Sequence, residues 1–210
     1  MIGALRQLFI PKPPAAVEAT YIALVAAARN PFFYTELKVP DTLDGRFEMI
    51  VLHLFLLQHR ILFTEGDLVP FPRPKAGVTP AASGSTNGLR TPIAHVERET
   101  FCRFLSEAFF NDMDRSIREL GVADTGVSHR IKKMGKAYHG RLQAYTSGLG
   151  DAQGLRAALA RNLYGTVAHG DVTALDRLAC VVEKMTELLS HTDIAIILQG
   201  QYVWPHPATL

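Results

Sequence analysis

The sequence predicts an all-α fold, a single bundle of about six helices with one long flexible loop. Two observations carry this. Apolar residues recur at steps of three and four along most of the chain. None of the twelve prolines falls inside a proposed helix interior, and no two-residue hairpin signal joins alternating runs. With 210 residues the chain suits one domain, taken as 1–200, followed by a loose tail over 201–210. No repeat of fixed period is present.

The first helix is expected over 14–30. Val17, Tyr21, Leu24, Val25 and Ala28 form its stripe, Pro14 suits a first turn and Pro31 stops the run. Residues 31–43 connect, with a helical turn around Phe32–Glu36. Asp44 is the expected N-cap of a helix from Gly45 to Phe63. That helix is apolar nearly all round, so it belongs at the centre of the bundle or under a partner. Residues 66–92 hold five prolines and four glycines and are expected to be a flexible loop that folding does not need. Further helices are expected over about 94–120, 128–149, 152–164 and 173–190, with Gly121 as a stop. Ile194–Leu198 reads as a short final helix or strand.

Composition narrows the function classes. Hydrophobic residues make up 48% and charged residues 20%, ordinary values for a globular protein. Two cysteines, Cys102 and Cys180, do not build a disulfide framework and point to a reducing compartment. A net charge of +2 falls short of a dedicated nucleic-acid binder, and no specific DNA contact is expected. No apolar run reaches membrane-span length, and the first nine residues do not make a signal segment. The expectation is a soluble bacterial protein of the cytoplasm, with a peripheral place at the cytoplasmic face of the inner membrane open to it.

Catalytic spacing is missing. The sequence has no G-x-S-x-G, H-E-x-x-H, P-loop or G-x-G-x-x-G pattern. Cys102 and Cys180 each sit on an apolar helical stripe and read as core residues. Glu187 and His191 supply two ligands where a metal site needs three or more, and no Glu-x-x-His occurs. No catalytic residue, metal or cofactor is expected.

Charge patterning offers faces for partners instead. The third helix ends in Asp112, Asp114 and Glu119, with Arg115 and Arg118 beside them. Asp112 and Asp114 are two apart and do not share a helical face. The fourth helix carries Arg130, Lys132, Lys133, Lys136 and Arg141 with no acid between His129 and Arg141. A solvated surface is the plain alternative for both. A short turn makes the two helices antiparallel neighbours, with Arg118 and Arg141 expected to brace the junction through carboxylates.

Three segments extend the reading: ARNPFFYTELKVPDTLDGRFEMIVLHLFLL at 28–57, FFNDMDRSIRELGVADTGVSHRIKKMGKAYHGRLQAY at 109–145, and LARNLYG at 159–165. They contain D-x-D-x-x-x-R-E-x-G-V at Asp112–Val122 and G-R-x-x-A-Y at Gly140–Tyr145. On these residues the chain resembles the ubiquinol-cytochrome c chaperone family, the assembly factors of the cytochrome bc1 complex. His139 departs from the aromatic the family carries before its Gly-Arg. The resemblance implies a non-catalytic assembly role. The partners would be newly made cytochrome b or a bc1 assembly intermediate, with the ribosome and the membrane surface as further contacts. The residues assigned to partner binding are Asp112, Asp114, Arg118, Glu119, Lys132, Lys133, Lys136, Gly140 and Arg141. Two other classes stand beside this one: a ribosome- or RNA-associated module acting through the basic helix at 129–141, and a small helical oxidoreductase.

Overall fold

The computed structural model describes residues 14–63, 95–165 and 172–210. The loop expected at 66–92 lies outside the described residues. Among the described residues every regular element is helical. They are α1 (Ala15–Ala28), α2 (Pro31–Thr35), α3 (Leu43–Leu62), α4 (His95–Glu119), α5 (Asp124–Gly148), α6 (Ala152–Leu163), α7 (Val172–His191) and α8 (Ile194–Leu198), then a 3-10 turn at Pro207–Thr209.

α3 is the axis of the bundle. It packs against α1, α4, α5, α6, α7 and α8. Met49 to Gln58 is buried without a break, which the all-round apolar pattern requires. Full burial also corrects one expectation: α3 keeps no apolar side for a partner, because its neighbours in the same chain cover it.

The helix boundaries follow local chemistry. Asn30 accepts from the Phe32 amide and opens α2, with Pro31 in its first turn. The expected cap Asp44 is not the cap of α3. The Thr42 hydroxyl accepts from Gly45 N at 3.1 Å, so the helix begins at Leu43 and Asp44 lies in its first turn. Gly45 is required there, since a Cβ would stand 1.9 Å from the Pro40 carbonyl oxygen. Gly121 turns the chain between α4 and α5 at φ 76°. α5 begins four residues earlier than the stripe suggested, at Asp124, and brings Val127 into the interior.

Ile194–Leu198 resolves as a helix capped by Asp193, which accepts from Ala195 N. The C-terminal segment, expected as a tail, packs on the bundle. Pro207 is buried, Trp204 packs on His53 with ring centroids 4.9 Å apart, and Lys184 binds the Leu210 carbonyl. Large aromatic and prolyl surface removed from water holds it. Cys102 is in the core as expected, but Cys180 is exposed, because α7 turns that position away from α3.

Candidate functional site

Interior polar side chains tie the helices together. Gln58 of α3 donates to the Cys102 carbonyl at 3.1 Å and to the Ser106 hydroxyl at 2.9 Å, both on α4. The Tyr138 hydroxyl of α5 donates to Gln58 Oε1 at 2.8 Å. This knot locks three helices in register, and burial pushes the Tyr138 phenol up to about 12. His53 is buried beside Phe33 and Trp204. Its Nδ1–H donates to Met49 O at 2.8 Å, which leaves Nε2 an acceptor without a hydrogen-bond partner among the described residues. Burial holds the ring neutral, pushing its pKa down to about 4.

Burial also pushes the Cys102 thiol up, with Glu99 adding to the effect, so it is a core group and a poor nucleophile. Among the described residues no three His, Cys, Asp or Glu side chains come together as a metal set.

The residues assigned to partner binding divide into three groups. Arg141 turns inward. Its Nε reaches both Glu48 oxygens at 2.9 Å and its Nη2 reaches Oε1 at 2.5 Å, across 93 positions of sequence. The Glu48 side chain is 7% exposed. Burial pushes its carboxyl up while Arg141 pulls against that. Arg141 therefore does not brace the α4–α5 junction; its place on α5 faces α3, not the end of α4. Arg118 does brace it, binding Asp114 at 2.6 Å and also Asp124. Asp112 accepts from Tyr21 at 3.0 Å and from Arg115 at 2.6 Å, so it ties α4 to α1. Asp112 and Asp114 point to different partners, as their spacing demands.

Glu119, Lys132, Lys133, Lys136 and Gly140 are exposed. The three lysines make no hydrogen bond or ion pair among the described residues.

A second open surface went unread in the sequence. α1 is apolar on both sides. Its outer positions Ala15, Ala19, Ile22 and Ala26 face water, with Ile22 62% exposed. Beside them a half-open groove of about 360 Å³ runs between Ala23, Ala26 and Ala27 of α1, Met185 of α7 and the segment Tyr202–Pro207. Val203 on its rim is 84% exposed. The available signal was the near absence of charge in AAVEATYIALVAAA, where Glu18 stands alone. None of the described helices is long and apolar enough to cross a membrane.

An all-α body whose interior polar groups build architecture, and whose open surfaces are an apolar groove and a basic strip, has the form of a protein that binds other macromolecules. The comparisons place it further. Residues 35–204 match the family model described as ubiquinol-cytochrome C chaperone, and the chain belongs to that family. It is similar over its whole length to the crystal structure of the Cbp3 homolog from Brucella abortus. The two are 30% identical with a TM-score of 0.70, and the match covers 100% of this chain and 99% of that one. No curated protein matches.

Proposed function

We propose that this chain is a non-enzymatic assembly chaperone for the cytochrome bc1 complex. It holds newly made cytochrome b, or an assembly intermediate, while staying peripheral at the cytoplasmic face of the membrane. The family match supports the assembly role. The observation that carries the client reading is the groove between α1 and Tyr202–Pro207, with Ile22 and Val203 left in water beside it. Large exposed apolar residues around a groove mark a binding surface for apolar chain, and a membrane-protein client presents such chain before assembly.

The test is site-specific photocrosslinking in cells making the bc1 complex. A photoreactive residue replaces Ile22 or Val203, and Arg103 on α4 serves as the control position. Crosslinks to cytochrome b are expected from the first two and not from the third. Equal capture from Arg103, or no capture of any bc1 subunit from Ile22 and Val203, would overturn the groove as the client site.

A further inference from the structure

Among the described residues the outer side of α5 has no neighbour in the bundle. His129, Lys133, Lys136, Gly140, Gln143 and Ser147 are all exposed. Their spacing of four, three, four, three and four keeps them in one line on one face of the helix. The line is about 27 Å long at about 1.5 Å per residue. Arg130 and Lys132 flank it. No acid occurs from Thr125 to Gly150. Arg130, Lys132, Lys133 and Lys136 have no ion pair or hydrogen bond among the described residues. A row of uncompensated cations is therefore held open along one helix.

Gly140 continues that line one turn beyond Lys136. It is in the helix interior, where glycine is disfavoured, and a Cβ placed on it would meet nothing within 4 Å. Nothing among the described residues requires glycine there. It leaves a notch in which a second backbone can come close, in line with the lysines.

We infer that α5 is a docking strip for an acidic α-helical segment of a protein partner. The partner helix lies along this face, comes closest at Gly140 and sets carboxylates against Lys132, Lys133 and Lys136. Single-stranded RNA fits less well, since the aromatic residues of α5, Tyr138 and Tyr145, are buried and offer no stacking surface. An anionic bilayer fits less well too, since Val127, Leu142 and the other large apolar side chains of α5 face the core and leave no anchor. The strip is distinct from the client groove: α5 packs on α3, α4 and α6, whereas α1 packs on α3, α4 and α8.

The test uses the full chain and a labelled helical peptide of about four heptads with glutamates along one seam. A second peptide of the same composition has its glutamates spread around the helix. Anisotropy at about 50 mM salt reads binding. The aligned peptide is expected to bind about fivefold or more tighter than the scattered one. Lys132→Glu, Lys133→Glu and Lys136→Glu together should weaken it about tenfold or more, with the thermal midpoint nearly unchanged. Gly140→Leu fills the notch without touching a charge and should weaken it about fivefold; Gly140→Gln is the second variant should the first not fold. Equal binding of the two peptides, no binding of the aligned one, or wild-type binding by a folded Gly140 variant overturns the inference. So does stronger binding to phosphatidylglycerol vesicles or to polyuridylate than to the aligned peptide.

Discussion

Arg141→Ala separates a structural from a recognition role for the Gly-Arg pair. In the native protein Arg141 makes three close contacts to a carboxylate that is almost fully buried. Removing the guanidinium leaves Glu48 in apolar surroundings, with the Tyr145 ring nearby acting on the same cluster. Breaking a buried pair from one side costs about 3–5 kcal/mol. The Arg141 side chain is 27% exposed, so water can enter and the lower end, about 3 kcal/mol, applies. For a chain of this size that is a fall in Tm of about 6–12 °C. The pH dependence has a definite sign. Burial raises the Glu48 carboxyl in the fold, and loss of Arg141 raises it further. A raised folded pKa favours the fold at low pH and loses that contribution as pH climbs through it. The deficit of Arg141→Ala should therefore be largest near neutral pH and shrink in acid, where Glu48 protonates. Urea denaturation at several pH values measures it, and Arg141→Ala with Glu48→Gln closes a double-mutant cycle. A deficit below about 0.5 kcal/mol with no pH trend is what a surface residue gives, and it would refute the reasoning.

Three further outcomes are expected. His53 titrates near 6.5 when unfolded and about 4 in the fold, so its contribution is complete above the first value and disappears as pH falls to the second. The loss is about 3 kcal/mol, and His53→Leu should flatten the stability profile across that window; an unchanged profile would show that the ring is hydrated. Gly45→Ala should destabilise, because its Cβ collides with the Pro40 carbonyl, while Gly140→Ala should raise stability by about 1 kcal/mol; thermal melts of both decide it. A maleimide should label Cys180 in the native protein and reach Cys102 only on unfolding, and equal labelling rates would contradict the packing of α4.

The helices were legible in the sequence because each carries its own periodicity. α3 shows this best: an apolar residue at nearly every position of MIVLHLFLL means a helix covered on all sides. Boundaries were less legible. Asp44 and Thr42 are both good caps by type, and the choice fell to Thr42 because Gly45 must pass against Pro40. In the same way α5 starts at Asp124, where Arg118 of the preceding helix reaches across the turn.

Amino-acid order by itself determined the all-α class, the central helix, the charged character of α4 and α5 and the lack of catalytic spacing, since these depend on residues near one another in the chain. Only the tertiary structure decided which cations face water. Arg141 and Lys136 are five residues apart on one helix, yet Arg141 is held by Glu48 from α3 while Lys136 stays exposed. The same holds for α1, where only the helices packed on it decide which side is covered and leave Ile22 in water. Burial of a side chain depends on what the rest of the chain places over it, and those contacts join residues too far apart in sequence for any local pattern to register.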